Sequence, residues 1–410
     1  MRKFLSVVGG LGLLILGTAA QAAQVPLFVG SACSEASQLL SCLNQVIAAY
    51  NGQLAAVPAL ATPRNVLDNG ATTVQQRGTG AATCALNGAA ITSAAYAADR
   101  WGCEVNVAVG AGQLTVITAT PSPPLGFQAS QKLVRNSGSL AQPQCAYQEI
   151  PQARVAGLQG QQVTFSVFEQ ALAGLAADQG STTQSFNLVV ISGTTADQGF
   201  GTWTASPAIT PAWAGVSTLV NTNFITPVAP SWQRYNVTAA VPSMALELAV
   251  AICFTPTTSG QSATDGIAFT GAQLEQGAVM TAFETKAPGA ELAEAQRYYY
   301  QVTESATSAT MRGSCVNLTS SISNCIVPFP VPMRVVPTMT YATGFGIAVA
   351  AQTSMTVCTA NATSTTATSA ASTLSVLMSC ANGAAGGALG TATTWGDAGG
   401  TGIIRASADF

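Results

Sequence analysis

From Pro63 onward the apolar residues recur at every second position, and this period limits the possible folds more than any other feature. Leu246, Leu248, Val250, Ile252 and Phe254 alternate with Ala245, Glu247, Ala249, Ala251 and Cys253. Val163, Phe165 and Val167 alternate with Thr164, Ser166 and Phe168. The pattern repeats in Leu114, Val116 and Thr118 and in Phe186, Leu188 and Val190, and continues in Ile267 and Phe269. A period of two places one set of side chains on a buried face and the other on an open one. Gly, Pro, Asn and Ser clusters punctuate the runs, and no helical pattern between them supplies crossovers for parallel strands. The reading is a mostly β protein: an antiparallel, jelly-roll-like β-sandwich over residues 63–286, then a linker helix and C-terminal β domain over 287–410. A chain of 410 residues exceeds a single core, in line with that division. No repeat of solenoid or β-helix length is visible.

Two segments break the period. Residues 35–57 place Leu39, Leu43, Val46 and Tyr50, with Leu40, Ile47 and Leu54, on one stripe at helical spacing. This predicts a helical anchoring or oligomerisation segment over 23–62, which packs on its own domain or against copies of itself. A second helix is expected at Ala290–Tyr300, with Leu292, Ala295 and Tyr299 on one face. The last stretch is rich in Thr, Ser, Ala and Gly. Val327–Met333 and Leu374–Met378 give it apolar residues to bury as a folded β domain.

Residues 1–22 carry Arg2 and Lys3, then an apolar run from Phe4 to Leu16, then the small-residue site Ala20-Gln21-Ala22. That order reads as a secretory signal peptide. The competing reading is an uncleaved apolar anchor buried in a larger assembly.

Charge is scarce. Lys and Arg total 14, Asp and Glu total 17, and charged residues make up 8% of the chain, against roughly a quarter in ordinary soluble domains. So few basic residues argue against a nucleic-acid partner, which needs a cationic footprint. The chain has no His. Triad hydrolysis, Cys-His chemistry and His-ligated zinc are therefore excluded. Carboxylates remain as acid/base groups, and a glycosidase needs two facing each other. Asp99, Glu104, Glu149, Glu169, Glu247, Asp265, Glu275 and Glu284 are scattered, with no spacing that pairs two of them. The expectation is a protein without catalytic residues.

The ten cysteines contain no C-x-x-C pair, which disfavours zinc and thioredoxin-like chemistry. With an export signal they read as disulfides. Pairing sequence neighbours gives Cys33–Cys42, Cys84–Cys103, Cys145–Cys253, Cys315–Cys325 and Cys358–Cys380. Other connectivities, or reduced and buried thiols, stay open.

Several segments resemble a known family in the same order. N-V-L-D-N-G (Asn65 to Gly70) followed by Q-R-G-T (Gln76 to Thr79) is similar to the opening of the jelly-roll domain of many bacteriophage tail-fibre and related virion proteins. Y-A-A-D-R-W (Tyr96 to Trp101) and S-W-Q-R-Y (Ser231 to Tyr235) resemble two of its strands. G-A-Q-L-E-Q-G (Gly271 to Gly277) with T-A-F-E (Thr281 to Glu284) resembles a further V-Q-L-E-x-G … T-P-F-E motif of the same domain. E-L-A-E-A-Q-R-Y-Y (Glu291 to Tyr299) resembles its closing helix, and F-P-V-P-M-R-V-V-P-T (Phe329 to Thr338) the start of its terminal β domain. The resemblance covers residues 64–338. It implies a carbohydrate-binding-module-like sandwich on a virion appendage, a homotrimer, and no catalytic residues. It also implies partners among other virion proteins and a glycan or receptor on a host surface. The export signal and ten cysteines instead suit a secreted or periplasmic lectin or adhesin of prophage origin. A polysaccharide depolymerase is disfavoured by the missing His, scarce carboxylates and absent repeats.

Glycan contact needs flat aromatics and amides. Trp101 and Trp232 lie in strand motifs and are expected in the core. Trp203 and Trp213, in the Gly/Pro/Thr-rich stretch 199–215, and Trp395 near glycines in the terminal domain are the candidate ligand-binding residues. No cofactor is implied. A structural Ca²⁺ has only Asp68 or Asp265 to draw on, far short of an oxygen cage.

Overall fold

In a computed structural model the described residues are 64–78, 81–86, 96–105, 112–117, 122–135, 143–172, 183–199, 211, 213–228, 231–256, 265–303, 311–319, 322–342, 345–349, 356–357, 372–381, 392–397 and 403–409. All of them belong to one compact unit, Pro63–Phe410. The expected signal or anchor (1–22), the helical segment (23–62), Trp203 and the Cys33–Cys42 pair lie outside the described residues.

Twelve strands build the sandwich: β1 (Ala82–Thr83), β2 (Ala85–Leu86), β3 (Gly102–Val105), β4 (Gly112–Ile117), β5 (Ser130–Arg135), β6 (Gln144–Ile150), β7 (Gln162–Ala171), β8 (Thr183–Gly193), β9 (Ser217–Pro227), β10 (Gln233–Ala240), β11 (Glu247–Phe254) and β12 (Gly266–Gln276). They form two six-stranded sheets, β1-β4-β5-β12-β7-β10 and β2-β3-β6-β11-β8-β9. Every pairing is antiparallel except the two-residue contact of β2 with β3. The fold is an antiparallel β-sandwich. Its core comes from the alternating sets: Leu133, Phe165, Val167, Ile267 and Phe269 from the first sheet meet Leu188, Val190, Val250, Ile252 and Phe254 from the second. Each such side chain contributes about 1.5–3 kcal/mol by leaving water. Trp101 is fully buried among them, tilted against Phe269 at 5.5 Å, and its indole N–H donates to the Asn69 carbonyl at 3.1 Å.

β11 departs from the expected half-open strand, because it is buried on both faces. Its small-residue face, Ala249, Ala251 and Cys253, clusters with its cross-strand neighbours Tyr147, Val189 and Ile191 and with Trp213 as a second apolar group on the outer face of the sheet. Alanines and a cysteine on that face leave room for the layer, so the alternation marks two interfaces rather than core and solvent.

A four-residue helix, α1 (Gln152–Val155), links β6 to β7. The second helix, α2, spans Pro288–Gln296, and Pro at its start carries the φ that a helix needs. It is shorter than expected: Tyr299 and Tyr300 open a strand, and Leu292 is 38% exposed rather than buried beside Ala295. The remaining strands are β13 (Tyr299–Thr303), β14 (Met311–Thr319), β15 (Ile322–Pro328), β16 (Thr338–Ala342), β17 (Phe345–Val349), β18 (Thr356–Val357), β19 (Ser375–Ala381), β20 (Ala392–Asp397) and β21 (Ile403–Ser407). They form a three-stranded sheet, β13-β21-β16, and a six-stranded one, β18-β17-β20-β14-β15-β19. Val302, Cys325, Val327, Phe329, Met333, Met339, Val376 and Ile404 make their shared core.

Three disulfides join described residues: Cys84–Cys103, Cys145–Cys253 and Cys315–Cys325. The last two link residues directly opposite each other on paired strands, β6 with β11 and β14 with β15. Of the Cys358–Cys380 pair, Cys358 lies outside the described residues.

Candidate ligand-binding cleft

The motif residues converge at the joint between the sandwich and the C-terminal strands. Asn69, held at φ 51°, ties the first loop together. Its side-chain amide donates to the carbonyls of Val74 (2.8 Å) and Asp99 (2.9 Å), and its backbone N–H donates to Glu291 Oε2 at 2.6 Å. Gln76 donates to Asp99 Oδ2 and to the Tyr299 carbonyl. Arg77 lies between the rings of Tyr96 and Tyr299, 4.4 and 3.8 Å from their centroids, and pairs with both Asp99 and Asp409. Arg100 lies 3.5 Å from the centre of Tyr298 and pairs with Asp68 at 3.1 Å. Arg154 reaches the other oxygen of Asp68 at 2.6 Å. Planar guanidinium groups suit such sites because they stack and pair at once. These residue types at these positions build a buried, ion-paired joint.

Both carboxylates considered for Ca²⁺ are thus engaged, Asp68 by two arginines and Asp265 by Arg135. Two arginines beside it hold Asp68 below the usual carboxylate range despite its burial. Among the described residues no group of three or more Cys, Asp or Glu is placed to hold a metal ion.

Beside the joint a cleft of about 550 Å³ opens between the 71–76 loop, the 126–128 turn and the 283–292 segment. Its apolar wall is Phe127, half-buried, 5.0 Å from Phe283 and 5.4 Å from Phe168, with both ring pairs tilted. Gly271 makes this stack possible. It sits in a β12 irregularity at φ +62°, and a Cβ there would come within 2.6 Å of Phe127 and 2.9 Å of Phe168. The polar wall carries the amides of Gln75, Gln76 and Gln128 and the hydroxyls of Thr73 and Thr285. Its two charged groups are already held. Lys286 Nζ donates to the Leu67 carbonyl (2.9 Å) and to Glu294 (2.7 Å), and Glu291 accepts the Asn69 N–H. Burial raises the Glu291 pKa, against the pull of Lys286.

Register brings two scattered carboxylates near each other. Glu149 opposes Ala249 across β6 and β11, so Glu149 and Glu247 share the outer face of the second sheet. Both are buried there, away from the cleft. Burial raises Glu149 well above its ordinary value, with Glu247 adding to the shift, and burial pushes Glu247 up to about 8. Glu104 on β3 is pushed up to about 10, again by burial first and then by Glu149. Burial thus favours the protonated form of all three carboxyl groups.

Trp213 is not a surface platform: it is 4% exposed, packs against Gly193 and donates its indole N–H to the Gly199 carbonyl at 2.9 Å. Trp395 is placed by its backbone on β20, opposite Gly313 and Ile347. Phe127 and Phe283, the aromatics at the cleft, were not among the sequence candidates. The available signal was Gly126 (φ +95°) after two prolines, which presents Phe127 at a turn.

Fold and cleft together define a β-sandwich that holds a neutral, aromatic- and amide-lined groove beside a rigid joint. No family model matches the sequence, and no curated protein matches it. Among solved structures, the CBM22-1-GH10 modules of endo-1,4-β-D-xylanase 10B from Clostridium thermocellum, complexed with xylohexaose, match 43% of this chain at 17% identity and TM-score 0.27. The enzymatically active domain of bacteriophage CBA120 tailspike protein 4 matches 52% at 12% identity and TM-score 0.30. The chain spans 26% of the former and 21% of the latter. The CBM22-1 xylan-binding domain of Paenibacillus barcinonensis Xyn10C is matched over its whole length and 54% of this chain, at 8% identity and TM-score 0.28.

Proposed function

We propose that this chain is a non-catalytic, surface-binding protein whose sandwich contacts a neutral glycan through the cleft beside Phe127, and that it is carried on a virion appendage such as a tail fibre. The observation that carries the glycan reading is the makeup of the cleft. Half-buried phenyl rings line it together with glutamines and threonines, and the charged groups are already engaged. Sugar rings offer C–H faces to aromatics and many hydroxyls to amides, with no charge to satisfy. The rigid joint supports an adhesive role, since it holds the groove in fixed geometry against the C-terminal strands. The virion setting rests on the ordered motifs over residues 64–338.

The test is affinity electrophoresis of the full chain through gels containing soluble neutral polysaccharides. Phe127→Ala and Gln128→Ala are expected to abolish the retardation of at least one polysaccharide and to leave the unfolding temperature of the Gln128 variant unchanged. A chain that no polysaccharide retards overturns the glycan reading.

A second reading, an exported adhesin, is favoured by the three disulfides, which form in oxidising compartments. Mass analysis of purified particles with N-terminal sequencing separates the two. Presence in the particle supports the appendage, and a chain starting near Ala23 found only in the medium or periplasm supports the adhesin.

A further inference from the structure

We infer that β9 is a self-complementary edge on which a second copy of this chain docks, antiparallel and about a two-fold axis at Thr222. β9 is the last strand of its sheet, is eleven residues long, and among the described residues its strand ladder runs to β8 alone. Edge strands are ordinarily blunted by a charge or by shortness. The edges at the other end of the sandwich, β1 and β2, are two residues each, and β10 carries Arg234. β9 is long and its sequence STLVNTNFITP contains no charged residue; the bulge at Leu219 and the proline at its end interrupt only its two ends, and Ile225 is 65% exposed.

The asparagines of β9 specify the occupant. Asn187 on β8 donates its amide to Asn221 Oδ1 at 2.6 Å and accepts from Asn223 Nδ2 at 3.1 Å. Among the described residues this leaves Asn221 with an unused Nδ2 donor and Asn223 with an unused Oδ1 acceptor. When two β9 strands pair about Thr222, Asn221 of each copy lies opposite Asn223 of the other. Donor meets acceptor twice, and the ladder runs on across the seam. On the opposite face the same register sets Val220 against Phe224 of the second copy, both already half-buried against the core. The seam uses residues 220–224, the stretch that is regular on both sides of Thr222, because Leu219 is bulged and the Ile225 carbonyl already accepts from the Tyr235 hydroxyl at 3.0 Å. No like charges meet anywhere along the seam. A single pair of strands covers less than the ~800 Å² per partner of a standard interface, so the association is reversible and depends on concentration. It is a two-fold contact, distinct from the three-fold assembly that the family resemblance implies.

Sedimentation of the purified full chain over a concentration series tests this. The expected result is exchange between one and two copies. Asn221→Asp with Asn223→Asp places carboxylates opposite each other, and is expected to weaken the dimer about tenfold or more. Asn221→Lys with Asn223→Asp places opposite charges there, and is expected to restore it in a salt-sensitive way. Both positions are on the strand edge, and circular dichroism verifies the fold of each variant. A wild-type chain that stays at one copy, as it would if the edge served an extended segment of another protein, overturns the proposal. So does a three-copy mass, a dimer indifferent to the paired Asp variant, or a failed rescue by the Lys/Asp variant.

Discussion

At the scale of the residue, the cleft depends on a missing side chain. Gly271 takes a left-handed φ of +62° and lets two phenyl rings close over the β12 backbone. Gly271→Ala meets both a backbone penalty and a clash with ring atoms, and is expected to destabilise the fold by roughly 1–3 kcal/mol, read as a lower urea midpoint. A midpoint equal to that of the parent would show that the stack shifts freely. The buried acids on the outer face of the second sheet give a second prediction. Glu247 is raised from 4.5 to about 8 and Glu104 from 4.5 to about 10. Their folded pKa values exceed the unfolded ones, so the folded state holds protons that the unfolded chain has released. That part of the stability is present below pH 4.5 and declines as pH rises through 8 and on toward 10. Thermal unfolding measured from pH 5 upward is expected to show a falling midpoint, and Glu247→Gln is expected to flatten the part of that slope below pH 8. A variant with the parent's slope removes Glu247 as its source.

At the scale of the element, the two cross-strand disulfides are predicted to differ in worth. Cys145–Cys253 spans 108 residues and Cys315–Cys325 spans 10. In the chain-entropy account a bridge restricts the unfolded chain more as its loop lengthens. Replacing Cys145 and Cys253 by Ala is expected to cost about 4–5 kcal/mol in urea unfolding, against about 3 kcal/mol or less for Cys315 and Cys325. Equal losses would mean that packing around the sulfurs outweighs loop closure. The element scale also shows what a local pattern leaves open. Leu248, Val250 and Ile252 mark one face of β11 as core, but nothing local says that Ala249 and Ala251 meet a second layer. Likewise the period of α2 groups Leu292 with Ala295, while in the fold Leu292 borders the cleft.

At the scale of the whole molecule, a buried arginine ties the sandwich to the C-terminal strands. Arg77 pairs with Asp99 of the sandwich and Asp409 at the far end of the chain, all nearly buried. Arg77→Ala leaves Asp99 enclosed without its cation, a loss of about 3–5 kcal/mol. The expected readout is calorimetric: one unfolding transition in the parent becomes two, as the C-terminal strands unfold on their own. A single transition, merely shifted, would show that the other contacts carry the coupling.

Strand period, turn residues and the scarcity of charge were enough to define an antiparallel sandwich and a β C-terminal region, because a two-residue repeat is read locally along the backbone. The ordered motifs were equally visible, but their role was not. Asn69, Arg77, Arg100 and Tyr299 acquire it only when segments about two hundred residues or more apart are packed together. Only the tertiary structure could decide which aromatics border a groove, since Phe127 and Trp213 look alike as loop residues until packing leaves one half-exposed and encloses the other. The physical reason is that burial is a property of the assembled layers: a residue's neighbours along the chain fix its face of the strand, while its neighbours in space decide whether that face meets water.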